Sequence, residues 1–167
     1  DEVAEYWHQV IKINDYQKNR FAEKIIDELS GNVDNKKIAI LGWAFKKDTN
    51  DSRESASIEV TNKLIDSGAY INIYDPMVKE SKIQEDLVNL WRLKTISEKN
   101  ILLRLSKIKI FDNYSDAIKQ TEAIAVLTEW EEFSAISFES VKKASTIKPK
   151  IFDGRLILKE SNYTIGS

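Results

Sequence analysis

The sequence predicts an α/β fold: an open, mostly parallel sheet flanked by helices and preceded by one long N-terminal helix. Three observations carry this. Short apolar runs that read as strands alternate with amphipathic stretches that read as helices. Gly or Pro punctuates many of the junctions. The first 28 or so residues instead show apolar positions at steps of three, four and seven, with no Gly or Pro among them.

The long helix is expected over about Glu2 to Leu29, where Val3, Tyr6, Trp7, Val10, Asn14, Phe21, Ile25 and Leu29 fall on one stripe. Ser30-Gly31-Asn32 ends it, with Gly31 suited to a left-handed cap. Lys37 to Gly42 is apolar and closes on Gly, as a buried strand does. A polar loop from Trp43 to Ser55 leads into a helix near Ala56 to Ser67, ended by Gly68. Ala69 to Tyr74 is the second strand, closed by Asp75-Pro76. A strand-helix-strand unit of this kind implies parallel strands and a right-handed crossover. Ser81-x-x-Gln84 has the form of a capping box and predicts a helix start, while Trp91 to Leu105 has no clear periodicity. Ile108 to Phe111 reads as a strand, Tyr114 to Gln120 as a short helix and Ala123 to Leu127 as a strongly apolar strand. Thr128-Glu129-Trp130-Glu131 repeats the capping-box form and predicts a helical turn. Phe138 to Ala144 reads as a helix, Lys150 to Asp153 as a strand and Tyr163-Thr164-Ile165 as a last edge strand.

Composition bounds the function. The 167 residues carry 25 basic and 27 acidic side chains, a net charge of −2, which argues against a dedicated nucleic-acid binder. With no Cys, disulfides and thiolate chemistry within this chain are excluded. With His8 as the one His, Cys/His zinc sites are excluded too. No apolar run approaches the roughly 20 residues of a membrane helix. The opening residues lack the apolar core of a signal peptide, and a cytoplasmic protein is expected. The first residue is Asp1 rather than Met, and the chain reads as a fragment of a longer protein.

In an open parallel sheet, ligands bind outside the carboxyl ends of the strands. The loops to read are therefore Gly42 to Ser55, Asp75-Pro76, Thr128 to Phe133 and Gly154-Arg155. The first has a single glycine, Gly42, so the G-x-G-x-x-G turn of a dinucleotide site is not encoded. It does carry Lys46, Lys47 and Arg53 ahead of a helix start, cations that could hold phosphate. Their plainer reading is a solvated surface paired with Asp48, Asp51 and Glu54. Arg155 after a strand end could grip phosphate or carboxylate bidentately, or form an ordinary surface ion pair. Asp75 stands where dinucleotide folds put a ribose-binding acid, but without the glycine fingerprint a structural turn is favoured. His8 has no partner acid or nucleophile, and Trp130 and Phe133 read as core or rim.

The run Ile40-Leu41-Gly42-Trp43-Ala44-Phe45-Lys46-Lys47-Asp48-Thr49-Asn50-Asp51-Ser52-Arg53-Glu54-Ser55 closely resembles the signature of the UDP-glucose 6-dehydrogenase family, within its C-terminal UDP-binding domain. Asn14-Asp15-Tyr16-Gln17, Tyr74-Asp75-Pro76, Thr128-Glu129-Trp130 and Phe152-Asp153-Gly154-Arg155 agree in order and spacing. The likeness covers nearly the whole chain and is weakest from Lys82 to Lys107. It implies a Rossmann-like domain over residues 34–167 that binds UDP-glucose or UDP-glucuronate, behind a linking and dimerising helix over residues 1–33. It also implies NAD as cofactor, held mainly by a domain outside this chain together with the catalytic cysteine and lysine. The fragment alone is then expected to be inactive and to contain no catalytic residue. By the resemblance, Phe45, Lys46 and Arg155 contact the sugar nucleotide and Arg53 reaches the NAD. Trp43 stands where the family more often has Phe, and Asn50 where Gly is common. Alternatives are a standalone nucleotide-binding or regulatory module, or a dehydrogenase of another nucleotide sugar such as GDP-mannose.

Overall fold

The computed structural model describes residues 1–164. Six strands form one sheet: β1 (Lys37–Leu41), β2 (Tyr70–Tyr74), β3 (Ile108–Ile110), β4 (Ala123–Val126), β5 (Lys150–Asp153) and β6 (Tyr163–Thr164). Their spatial order is β3-β2-β1-β4-β5-β6, and every pairing is parallel. The expected mostly parallel sheet is thus entirely parallel among the described residues. The order reverses between β1 and β4, which puts the switch point of the fold beside the Gly42 loop. Ile165, expected in the last strand, lies outside the described residues.

β1 and β4 are buried on both faces, which is why they read as continuous apolar runs rather than as alternations. Residues in register point to the same side. Ile73, Ile40, Ala125 and Phe152 therefore share one face, and Tyr74, Leu41, Val126 and Asp153 the other. On the first face Phe21 of α1 (Glu2–Glu28) packs edge-on against Phe152 and beside Tyr163. Helix α2 (Ala56–Asp66) lies against α1 and β2. On the second face Tyr74 and Tyr114 meet the ring of Phe133.

Several local expectations change for identifiable reasons. Ser81 is not a cap: the N-cap of α3 (Glu80–Leu93) lies two residues earlier, at Lys79, with no side-chain cap bond. The unassigned stretch holds the end of α3 and α4 (Glu98–Leu105), which Ser97 caps by accepting from Asn100 N. Its order comes from tertiary anchors that periodicity does not show: Trp91 is fully buried and its indole N–H donates to Asn62 at 2.9 Å. Thr128 does not cap the 3₁₀ turn Glu131–Ala135 either; its hydroxyl is engaged elsewhere. The box occurs instead at Ser137 and Ser140, opening α6 (Phe138–Ala144). Helix α5 (Tyr114–Ala117) is shorter than expected.

The apolar stripe of α1 divides in two. Phe21, Ala22 and Ile25 are buried in the common core, whereas Val3, Tyr6, Trp7, Ile11, Ile13 and Tyr16 are each more than half exposed. Phe21 and Ile25 therefore belong to the sheet's own cover and are not part of an external seam. Gly31 takes a left-handed conformation (φ 72°) and its N–H returns to Ile26 O, ending the helix as expected. Truncating Phe21 to Ala should cost about 3 kcal/mol, the usual scale for emptying a core aromatic site. Urea unfolding at unchanged m-value checks this; a loss below about 1 kcal/mol would mean that α1 is not part of the cooperative unit.

Candidate functional site

The carboxyl ends of β1, β2 and β4 gather around one buried carboxylate. Asp75 Oδ2 accepts from the backbone N–H groups of Trp43 at 2.6 Å and Ala44 at 2.9 Å, and from the Trp130 indole N–H at 3.0 Å. Oδ1 accepts from Met77 N and Val78 N, closing its own turn. One side chain thereby fixes the loops after β1, β2 and β4 relative to one another. The expectation of a structural turn at Asp75 is met, and the residue does considerably more than turn the chain.

The loop after β1 is pinned at further points. Trp43 is buried, and its indole N–H donates to Asp86 of α3, which also accepts from Ser52 Oγ and pairs with Lys82. Phe45 N donates to Asp51 O at 2.9 Å, closing the loop on itself. Thr128 Oγ donates to Ala44 O at 2.6 Å. Gly42 (φ 96°) lies so close to Thr128 that a Cβ there would run into its side chain. The left-handed positions of the loop itself fall on Asp48 and Glu54, not on Asn50, so an Asn where Gly is common requires no strained backbone.

Arg155 enters from the loop after β5. Its Nε donates to Leu127 O at 2.9 Å, its Nη2 donates to Phe45 O, and Nε lies 3.1 Å from Glu129 Oε2. The other oxygen of Glu129 accepts from Lys47 N at 3.0 Å. Partial burial alone would raise the Glu129 carboxyl, but the Lys47 N–H and the charges of Arg155 and Lys47 outweigh that and hold it below its ordinary value. Asp153 is fully buried and accepts from Arg155 N and Leu158 N, which shapes the turn that delivers Arg155.

Phe45 and Arg155 line one cleft of about 340 Å³, walled on the other side by Asn14, Gln17 and Arg20 of α1. Lys46 follows directly in the chain, its ammonium 5.2 Å from the Phe45 ring centroid. The structure thus brings Phe45 and Arg155 together, while Lys46 is not among the residues that line the cleft. It does not bring Arg53 to the same cleft. That side chain is 85% exposed and paired with Asp51, whose carboxyl the Arg53 hydrogen bonds hold down at about 2. A larger hollow of about 800 Å³ runs along the β3 edge and contains none of these residues. Lys107 and Lys109 there lie over the rings of Tyr70 and Phe111, an arrangement that suits an edge strand guarded against pairing. Among the described residues no acidic and histidine side chains cluster as metal ligands, and no helix is long and apolar enough to cross a membrane.

Glu129 and Asp86 were not singled out by the sequence reading. The signal for Glu129 was present: an acid directly after the strand that neighbours β1, opposite a loop rich in cations. Asp86 lies mid-helix, and nothing in the local pattern marks it.

The family model described as UDP-glucose/GDP-mannose dehydrogenase family, UDP binding domain, matches residues 39–160. The chain is 43% identical over 160 residues to UDP-glucose 6-dehydrogenase 4 of Arabidopsis thaliana and 45% identical over 157 residues to UDP-glucose 6-dehydrogenase of Gallus gallus. These alignments cover 94% of this chain but 33% and 31% of those proteins, so the chain spans about a third of the length of the curated relatives it matches. Its fold resembles that of a UDP-glucose dehydrogenase from Pyrobaculum islandicum, with a TM-score of 0.64 at 22% identity, covering 93% of this chain and 30% of that one.

The Asp75 clamp makes a strong demand on stability. Asp75→Ala strands five N–H groups, three of them from other loops, and each buried orphan costs about 1–3 kcal/mol. With water relieving part of this, the expected loss is at least about 3 kcal/mol by urea unfolding. A loss under about 1 kcal/mol would show that the loops are held by other contacts.

Proposed function

This chain belongs to the UDP-glucose/GDP-mannose dehydrogenase family, and we propose that it is the C-terminal, UDP-sugar-binding part of an NAD-dependent UDP-glucose 6-dehydrogenase. Such an enzyme oxidises UDP-glucose to UDP-glucuronate in two steps. Residues 34–167 would form the sugar-nucleotide domain and residues 1–33 the helix that links and dimerises.

One observation carries the reading. Arg155 and Phe45, which stand 110 positions apart, line one cleft at the carboxyl ends of the strands, with Arg155 braced against the Phe45 carbonyl and Lys46 next in the chain. A diphosphate needs fixed cations, and a guanidinium whose Nε and Nη2 already donate to protein carbonyls offers its remaining N–H groups in one orientation. In this role Lys46 neutralises phosphate charge, Arg155 orients it, and Phe45 supplies an apolar wall.

The residues over β1 do not fit a dinucleotide pyrophosphate. Thr128 fills the space above Gly42, and Trp43 is packed inside. NAD, which supplies the hydride acceptor, would therefore sit mainly on another domain. In this reading Arg53, exposed and outside the cleft, would reach it from this side. No Cys is present here to act as nucleophile.

Calorimetric titration of UDP into the protein that carries this chain tests the reading. Each charge-assisted contact is worth about 1.5–3 kcal/mol, so Lys46→Ala and Arg155→Ala should each weaken binding about tenfold to a hundredfold. Unchanged affinity in both would reject the site.

The exposed N-terminal half of α1 supports the dimer reading. Val3, Tyr6, Trp7 and Tyr16 are each more than half exposed on one helix, apolar surface that a second copy could cover. Sedimentation equilibrium of the 167-residue chain at micromolar concentration should give a dimer, and Trp7→Glu should shift it toward monomer. A monomeric mass for the unmodified chain would overturn this.

A further inference from the structure

Glu129 occupies an unexpected place for an acid. It stands among Lys47, Arg155 and the Lys46 loop, next to a cleft read above as binding a diphosphate. A carboxylate there repels the ligand it neighbours, so its presence needs a compensating effect. The geometry supplies one. Its two oxygens go to two different elements, Oε1 to the Lys47 backbone N–H at 3.0 Å and Oε2 to Arg155 Nε at 3.1 Å. Without Glu129, Arg155 would keep its bonds to Leu127 O and Phe45 O but lose its charged partner. The Lys47 end of the loop would lose its tie to β4. Both would then have to be ordered by the ligand itself, at an entropic cost.

We propose that Glu129 is a positioning residue for the sugar nucleotide: it holds the Arg155 guanidinium and the Lys46-Lys47 backbone in their binding arrangement and acts on the ligand through Arg155. The inference rests on the reading of the cleft as a UDP-sugar site. Its carboxyl, held below its ordinary value, is charged at neutral pH, as the role requires. The expected sign is opposite to what charge counting gives. Removing a negative charge beside an anion site should tighten binding by simple electrostatics. Losing the preorganised Arg155 should loosen it, and the direct contact is shorter-range and less screened.

The experiment is a double-mutant cycle on the protein that carries this chain, with UDP as the probe and calorimetric affinity as the readout. Glu129→Gln keeps the shape and an oxygen for Lys47 N–H while removing the ion pair. It should weaken UDP binding by about tenfold, and in an Arg155→Ala background it should have little further effect, because interacting residues are not additive. A merely structural Glu129 would lower the unfolding midpoint without that coupling. Affinity in Glu129→Gln equal to or tighter than the unmodified protein, or an equal loss with Arg155 absent, overturns the inference and leaves the site reading intact. If Arg155→Ala alone binds UDP as well as the unmodified protein, this inference fails; if Lys46→Ala does so too, the site reading fails with it.

Discussion

A single buried carboxylate sets the geometry on which the rest of the site depends. Parallel strands hold their own backbones in register, but nothing in a parallel sheet specifies where the loops beyond their carboxyl ends must go. Asp75 answers that need for three loops at once. Two backbone N–H groups and an indole N–H converge on one of its oxygens, and its other oxygen closes its own turn. Backbone donors cannot be mutated away, and a charged acceptor bonds them more strongly than a neutral one. With Trp43 and Ala44 fixed, the next residues along, Phe45 and Lys46, have little freedom of position.

Around that anchor the charges are arranged to hold cations still without consuming them. Arg155 is satisfied partly by neutral carbonyls, which fix its plane but leave its charge, and partly by Glu129, which is shared with the loop backbone. Arg53 shows the contrasting arrangement. Its bidentate pair with Asp51 is local, two residues away and open to solvent, and ties it to its own loop rather than to the cleft. Two arginines 102 positions apart in the same chain thus take different kinds of partner.

Much of the fold was legible because it rests on local signals. Apolar runs marked β1 and β4, alternation marked β2, and Gly31 marked the end of the long helix. What escaped was fixed by distant partners. Ser81 and Thr128 matched the capping pattern by residue type, but the cap depends on which backbone the hydroxyl reaches, and Thr128 reaches Ala44 instead. The stretch from Trp91 to Leu105 owes its order to an indole bonded to Asn62, 29 positions away. For the site, the family-like loop and Phe152-Asp153-Gly154-Arg155 pointed to Phe45, Lys46 and Arg155, of which Phe45 and Arg155 line one cleft. Asp75 was read for its turn alone, because its reach to three loops exists only once β1, β2 and β4 stand side by side. The stripe of α1 was read as one surface because periodicity reports a face of a helix and not what lies against each part of it.

That division of α1 has a mechanical meaning. At 27 residues the helix is a rod about 40 Å long. Its C-terminal third is cemented into the sheet by Phe21, Ala22 and Ile25, and Asn14, Gln17 and Arg20 near its middle form one wall of the cleft. The free end projects beyond. A rod clamped at one end behaves as a cantilever: a load on Val3 or Trp7 is felt along its length, and the cleft wall lies between the load and the clamp. Any body that grips the free end therefore also loads the helix that forms the cleft wall.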